Sequence, residues 1–330
     1  MKKQILAIAI AAASFTATTQ AAEIYKNELS TLSLGGHVSV NLNGSEKGST
    51  TVESVSPRIN IEATQKIGNG YTVDAKAEWR LNMLDGGEET FTTRLGYLGL
   101  SHKDLGRLVA GTQWAPYYDV AGAADMPIAF ANDFIYDNHG VIGTGRADKM
   151  VSYRHDYAVG NVGINFGFGF QGKNGTVDER FQVSTSADYM GASLGFAMTT
   201  GDIDALTAES QVFSLKYGKF GQGLYLAAVH AMNENINSDG MGGVLADSHA
   251  TELLAAYGPG KGLNLIANYE LVDGEDAVGT EYTTLEQMAV QVEYKVTSNV
   301  VTFAGYQFDL NDKNGRDTDD MWTIGARVYL

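Results

Sequence analysis

The sequence predicts an all-β fold, a transmembrane antiparallel β-barrel of about sixteen strands. Apolar and polar residues alternate with a period of two as far as the last residue. The connections between these runs are short and long in turn, which is typical of transmembrane barrels. After residue 21, no stretch approaches the roughly 18 consecutive apolar residues that a membrane-spanning helix needs.

The first 21 residues have the pattern of a cleaved export signal. Lys2 and Lys3 form a short basic region, residues 5–13 are an apolar run, and Thr19-Gln20-Ala21 is a cleavage site of the small-x-small type. We therefore expect a signal peptide at 1–21 and a single barrel domain at 22–330. The mature chain is expected to be exported without a helical anchor.

The alternation is clearest between residues 161 and 171. One face of this run carries Val162, Ile164, Phe166, Phe168 and Phe170, and the other carries Asn, Gly and Gln. The second face is too polar for the core of a β-sandwich. Similar runs predict sixteen strands, which begin near Ser30, Ser54, Tyr71, Phe91, Arg107, Asp148, Asn161, Arg180, Gly191, Glu209, Gly223, Ser248, Gly262, Thr284, Asn299 and Met321.

Acidic residues are concentrated in the long connections. The chain has 39 acidic and 23 basic side chains and a formal charge of −16, opposite in sign to a nucleic-acid-binding surface. The long connections hold 24 of the acidic residues and only 4 of the basic ones. We expect an acidic rim, which either meets divalent cations that bridge the outer lipid layer or consists simply of solvated loops. The chain has no cysteine, which excludes disulfides, thiolate metal sites and thiol nucleophiles.

One connection, about residues 115–145, is unusually long and has little strand periodicity. A loop of this length usually has a function. It contains four aspartates and no lysine or arginine. A barrel of sixteen strands encloses a water-filled bore, and we expect this loop to fold into it.

The chain resembles the Gram-negative general porins, the trimeric sixteen-stranded diffusion channels of the outer membrane. The resemblance runs from Ala22 to Leu330 and rests on Ala22-Glu23-Ile24-Tyr25-Lys26-Asn27, Ser56-Pro57-Arg58-Ile59-Asn60-Ile61, Thr93-Arg94-Leu95-Gly96-Tyr97-Leu98-Gly99-Leu100, Gly145-Arg146 and Asp125-Met126. It implies a passive channel for small hydrophilic solutes and ions, without catalytic residues, metal or cofactor. It also implies a homotrimer in contact with outer-membrane lipopolysaccharide.

The resemblance further implies a pore constriction in which Arg58, Arg94 and Arg146 face Asp125. Alternation independently puts Arg58 and Arg94 on the inner face. Further candidates for the pore lining are Glu62, Glu78, Arg80 and Asp133. An alternative is that the arginines only pair with acidic residues of the wall, such as Glu62, Glu78 and Asp74.

Two departures from the family affect the expected selectivity. His37, which we also expect in the constriction, stands where many enterobacterial porins have a lysine in the lumen, and Ala129 stands where they usually have a second carboxylate of the loop. We expect mild cation selectivity from the acidic rim. If His37 protonates near its reference pKa of about 6.5, selectivity should shift toward anions as the pH falls.

Two other functions remain open at this stage. In a sugar-selective channel, aromatic side chains would stack on the substrate along the bore, and the candidates are Trp114, Tyr117, Tyr118, Phe130, Phe134 and Tyr136. An outer-membrane barrel enzyme would need histidines that converge with serine or aspartate at one site. The six histidines are instead spread along the sequence, which favours a channel.

Overall fold

The computed structural model describes residues 21–87, 90–132, 134–136, 138–204, 206–312 and 318–330. The predicted signal peptide therefore lies outside the described residues, except for Ala21. Asp133, one of the candidate pore-lining residues, lies outside them as well.

The described residues form eighteen β-strands and three short helices. The first strands are β1 (Ala22–Lys26), β2 (Ser30–Ser45), β3 (Thr51–Glu53), β4 (Arg58–Gly68), β5 (Tyr71–Leu81), β6 (Phe91–His102), β7 (Gly106–Trp114), β8 (Arg146–Val159) and β9 (Val162–Gln171). The others are β10 (Arg180–Tyr189), β11 (Ala192–Ile203), β12 (Leu206–Lys219), β13 (Gln222–Glu234), β14 (Asp247–Gly260), β15 (Leu263–Glu275), β16 (Glu281–Lys295), β17 (Val300–Asp309) and β18 (Met321–Tyr329).

The three helices all lie between β7 and β8. They are α1 (Tyr118–Ala121), a 3₁₀ helix (Phe134–Tyr136) and α2 (His139–Ile142). In the part of the chain that the structure describes, no helix has the length and apolar character to cross a membrane.

Sixteen of the strands close into one antiparallel barrel. From β4 to β18 each strand pairs with the next one in the chain, and β2 pairs with both β4 and β18. The ladder between β2 and β18 joins the two ends of the sheet, so that backbone groups along the wall find partners within the protein. The predicted fold class and strand number are confirmed.

Two short strands were not predicted, and both pair with β2. β1 lies on the edge of β2 that β18 also uses, where Ala22 is opposite Leu34 and the Leu330 N–H donates to the Gly36 carbonyl at 3.0 Å. β3 pairs with β2 at residues 41–43. Between β3 and β4, residues 54–57 face only residues 38–40 of β2. This 54–57 segment is a bulge, and it ends at a proline that has no N–H for the ladder.

Burial along the strands is the inverse of that in a soluble protein. On β2, Ser39 and Asn41 are 2% and 3% exposed, whereas Val40 and Leu42 are 47% and 44% exposed. Leucine, valine and phenylalanine are exposed in the same alternating way on the other strands. The apolar face is therefore the outer face, which is suited to lipid, and the polar face is the inner one.

The buried apolar core joins the 115–145 segment to the inner face of β12 to β15. Tyr117, Val120 and Phe134 of the segment are in one cluster with Val229 of β13 and Leu254 of β14. The inner face of these strands carries buried alanine and valine side chains in addition to its polar residues. The apolar side chains on the inner face of these strands provide a docking surface for the segment.

Replacing Phe166 near the middle of β9 with arginine tests which face of the wall meets lipid. Phe166 is exposed on the apolar face, so we expect the free energy of unfolding from a bilayer to fall by about 2–4 kcal/mol. The measurement is a denaturant titration in lipid vesicles.

The matched control for this substitution is Asn165→Arg. Asn165 points to the opposite face, where it donates to Ser186 and Asp188. We expect this variant to lose less than about 1 kcal/mol. Equal losses in the two variants would contradict the orientation of the wall.

Candidate functional site

Basic side chains form a row on the inner face of the wall. Arg58, the first residue of β4, is opposite His37 on β2 and opposite Arg80 on β5. Arg94 extends the row on β6. The structure therefore brings together four of the residues that the sequence predicted for one site.

Glu78 on β5 binds two of these arginines. Arg94 Nε donates to Glu78 Oε1 at 2.9 Å, and Arg58 Nη1 lies 3.8 Å from the same oxygen. Glu78 is 5% exposed, so its charge needs these partners. The alternative in which the arginines pair with wall acids is therefore realised in part, since one carboxylate is shared by two guanidinium groups.

The bulged 54–57 segment holds the same arginines. Ser56 Oγ accepts hydrogen bonds from Arg58 Nη2 at 3.0 Å and from Arg94 Nη1 at 3.2 Å. The Ser56 carbonyl also accepts from Arg58 Nε at 3.1 Å. These contacts were not predicted from the sequence, because the alternation of apolar and polar residues does not by itself reveal a bulge between two strands.

A further wall arginine, Arg327 on β18, was also missed. It is 9% exposed and donates from Nη2 to the Val55 carbonyl at 3.1 Å. Its guanidinium carbon lies 6.0 Å from the centre of the Tyr329 ring. The alternation of β18 puts Arg327 on the polar face beside Thr323, so the sequence did contain a signal for it.

His37 is buried in the middle of these arginines. It is 6% exposed, and its ring packs edge-on against Tyr329 with the centroids 5.7 Å apart. The charges of Arg327, Arg58 and Arg94 all act on the ring. A proton on His37 would therefore add a positive charge to a group of three positive charges.

Asp125 lies on the 115–145 segment and is held by two tyrosines. The hydroxyl of Tyr118 donates to Asp125 Oδ2 at 2.8 Å, and the hydroxyl of Tyr136 donates to the same oxygen. Burial raises the pKa of the Asp125 carboxyl above its ordinary value of 3.8, although the two phenol hydrogen bonds and the charges of Arg58 and Arg94 act in the opposite direction. Asp125 is therefore within electrostatic reach of the wall arginines.

Arg146, at the start of β8, contacts the 115–145 segment. Its Nη2 donates to His139 Nε2 at 3.0 Å, and its guanidinium carbon lies 5.9 Å from the centre of the Trp114 ring. Neither of these two contacts is with a carboxylate.

The remaining candidate residues differ in their surroundings. Glu62 pairs with Lys76 at 3.7 Å, nearer the short turn between β4 and β5. Arg80 is exposed and lies next to the Arg58 position in the ladder. The structure thus separates Glu62 from the arginine row and keeps Arg80 close to it.

The aromatic residues of the 115–145 segment are engaged in packing. Tyr117 is fully buried and shares a hydrogen bond with Ser210 at 2.6 Å, and Phe134 is 8% exposed. Trp114 and Tyr118 stack on each other with centroids 4.2 Å apart. These contacts favour an anchoring role for the aromatic residues over a surface for sugar binding.

Two of the six histidines lie side by side. His230 on β13 and His249 on β14 stack with their ring centroids 5.6 Å apart, and both are exposed on the outer face. The partner of His230 is the Thr251 hydroxyl at 3.0 Å. This pair is on the opposite face of the wall from the arginine row.

Comparisons with known proteins agree with this fold. The family model of the Gram-negative porins matches residues 7–327. The chain is similar to outer membrane protein S2 of Salmonella typhi, with 27% identity over the full length of both chains. It is also similar to the putative outer membrane porin protein NmpC of Escherichia coli, again with 27% identity over the full length of both.

The solved structure of Salmonella typhi OmpF in complex with daunomycin has the same fold. It superposes with a TM-score of 0.78 and 19% identity, over 94% of this chain and 100% of that chain. The family match, the relatives and the closed sixteen-stranded barrel lead to one conclusion. The chain belongs to the Gram-negative porin family, and it is a channel of the outer membrane rather than an enzyme.

Proposed function

We propose that the chain is a passive, weakly charge-selective diffusion channel whose bore is narrowed by the 115–145 segment. Small hydrophilic solutes and ions would pass through it without a chemical reaction. The observation that carries this proposal is the separation of charge. Arg58, Arg94 and Arg327 are on the wall, and Asp125 is on the segment.

Contacts with distant strands support a path of the segment through the bore. The segment leaves the wall at β7, yet its backbone N–H groups at Ile128 and Phe130 donate to Glu293 and Gln291 of β16 at 2.8 and 3.0 Å. In the closed sheet, β7 and β16 are seven strands apart in one direction and nine in the other. Glu293 and Gln291 belong to the inner face of β16, so the short route from the end of β7 to these side chains is across the lumen.

The near end of the segment is also attached to the wall. Arg154 of β8 binds Asp119 through two hydrogen bonds of 2.6 and 3.3 Å. Phe134 N–H donates to Glu270 of β15 at 2.7 Å, beyond the middle of the segment. Attachments at both ends support a fixed constriction instead of a loop that swings in and out.

Opposite charges across the constriction would act on every solute that passes. The field between the wall arginines and Asp125 would orient dipolar solutes and exclude apolar ones. We assign Arg58, Arg94 and Arg146 to the constriction with Asp125, and we add Arg327. Glu78 and Arg80 would line the same level, whereas Glu62 would lie on the periplasmic side. The acidic outer rim would give a mild preference for cations.

Membership of the porin family supports a proposal for the assembly. We propose a homotrimer whose acidic rim contacts lipopolysaccharide through bridging divalent cations, and a signal peptide at 1–21 that is removed before the domain at 22–330 folds. Disappearance of a high-molecular-weight band after boiling in SDS would support the trimer, and a monomeric band in unheated samples would contradict it.

Neutralising a wall arginine should shift the ion selectivity toward cations. One unit charge about 7 Å from an ion changes its energy in water by about 0.6 kcal/mol, with opposite signs for anions and cations. Arg58→Gln, Arg94→Gln or Arg146→Gln should therefore lower the anion-to-cation permeability ratio roughly sevenfold at very low salt and roughly threefold at about 0.1 M salt, where screening halves the interaction. The measurement is the reversal potential in a planar bilayer under a salt gradient.

Arg107→Gln is the control for these variants. Arg107 is paired with Asp74 at 2.5 Å near the short turn between β6 and β7, away from the arginine row. Removal of the Arg107 charge should change the reversal potential by less than each of the three other substitutions does. If Arg107→Gln had the larger effect, the proposed constriction would be at the wrong level of the barrel.

Acidification should change the selectivity through Asp125 and not through His37. The charges around His37 oppose its protonation, whereas the raised pKa of Asp125 makes this carboxylate lose its charge earlier than an exposed aspartate as the pH falls. We therefore expect the reversal potential to shift toward anion selectivity as the pH is lowered.

This pH dependence differs from the one that the sequence predicted from His37. Reversal potentials from pH 8 to pH 4 should show the same shift in His37→Gln as in the unmodified protein, and a smaller shift in Asp125→Asn. A shift near pH 6.5 that His37→Gln abolishes would restore the original interpretation.

A further inference from the structure

Ser56 has a backbone conformation that its sequence does not favour. Its φ is +48°, in the left-handed region that glycine and asparagine adopt most readily. It also precedes Pro57, and a proline restricts the residue before it to extended conformations. Such a conformation persists only where the surrounding structure imposes it, and it is often found at functional sites.

The 54–57 segment is fixed to the inner face of β2 by Ser39. The Ser39 hydroxyl accepts from Val55 N–H and donates to the Val55 carbonyl, with both distances 2.9 Å. Ser39 is 2% exposed, so these two hydrogen bonds are shielded from water. On the other side of the segment, the Pro57 carbonyl accepts from Leu81 N–H of β5 at 3.0 Å.

Three arginines from three strands converge on two residues of this segment. Ser56 accepts from Arg58 and Arg94 through its hydroxyl, and Val55 accepts from Arg327 through its carbonyl. Arg58, Arg94 and Arg327 belong to β4, β6 and β18. The only carboxylate that pairs with this group in the described residues is Glu78, which contacts Arg58 and Arg94.

Like charges so close together repel, and long arginine side chains have many rotamers. Neutral acceptors can hold them in one direction without cancelling their charge, which a carboxylate would do. The Ser56 hydroxyl and the Val55 carbonyl are such acceptors. A glycine or an asparagine would suit the backbone of Ser56 better, so the serine side chain itself has a use here.

We propose that the 54–57 segment is a clamp that fixes the direction of Arg58, Arg94 and Arg327, with Ser56 as its positioning residue. This inference rests on the proposed function, because it assumes that these arginines determine ion selectivity. Without the clamp, Glu78 is the group that holds Arg58 and Arg94, and the positive field in the bore weakens. The clamp thus sets charge selectivity without contributing a charge of its own.

Ser56→Gly tests the clamp and separates positioning from stability. Glycine relieves the positive φ, so the barrel should be at least as stable as the unmodified protein. The hydroxyl acceptor of Arg58 and Arg94 is lost, whereas the backbone carbonyl that accepts from Arg58 Nε remains, so the reversal potential should shift toward cations by less than it does in Arg94→Gln. A purely structural role would leave the selectivity unchanged.

Asn69→Gly is the matched control. Asn69 has a φ of +50° in the turn between β4 and β5, away from the arginines, so glycine relieves the same kind of conformation there. Its reversal potential should equal that of the unmodified protein. Ser56→Asn should restore part of the selectivity, because asparagine tolerates this φ and offers an acceptor oxygen.

Two further variants keep the test decisive. In an Arg58→Gln/Arg94→Gln background, Ser56→Gly should cause no additional shift, because its targets are gone. Ser39→Ala releases the Val55 end of the clamp and leaves Ser56 intact, so it should also shift the selectivity toward cations. It serves as the test if Ser56→Gly does not fold.

The outcomes distinguish the clamp from the constriction itself. If Arg94→Gln shifts the reversal potential but neither Ser56→Gly nor Ser39→Ala does, the clamp is wrong and the constriction stands. If none of these variants shifts it, the constriction is wrong and the clamp fails with it. The clamp would also be overturned if Ser56→Gly shifted the reversal potential equally in the unmodified protein and in the Arg58→Gln/Arg94→Gln background.

Discussion

Closure of the sheet is the constraint on which the rest of this structure depends. In hydrocarbon, an unpaired N–H or carbonyl group costs several kcal/mol, so a strand can cross a membrane only with partners on both sides. The ladder between β2 and β18 supplies those partners at the point where an open sheet would end. Once the sheet is closed, each strand has a lipid side and a water side, and the alternation of side chains follows.

A closed barrel of this size has an interior that its own wall cannot fill. In the proposed channel the 115–145 segment occupies part of this interior, and it docks on the inner face of β12 to β15. Tyr225 on β13 donates to the Ala123 carbonyl at 2.7 Å, among alanines and valines that give the segment an apolar surface to dock on. The wall near β2, β4 and β6 is polar and charged instead. In the proposed constriction this asymmetry would leave the arginines and Asp125 on different sides of the open space.

Much of the fold could be predicted from the sequence, because the alternation of apolar and polar residues shows which side chains lie on the outer face of the wall and which lie on the inner face. Predicted strand starts at Ser30, Tyr71 and Phe91 coincide with the observed ones, and the long connection begins and ends as predicted. The bulge at 54–57 and the addition of Arg327 to the predicted group of Arg58 and Arg94 were missed. Both depend on which strands become neighbours and on a register set by closure, and neither is encoded in the spacing of residues along one strand.

An open, water-filled bore can be tested through the dependence of single-channel conductance on salt concentration. A general diffusion channel contains no site that ions must occupy one at a time. We therefore expect a conductance that rises in proportion to the bulk conductivity, in openings that arrive in groups of three. A conductance that saturates at moderate salt, or a correctly folded barrel that stays closed, would contradict it.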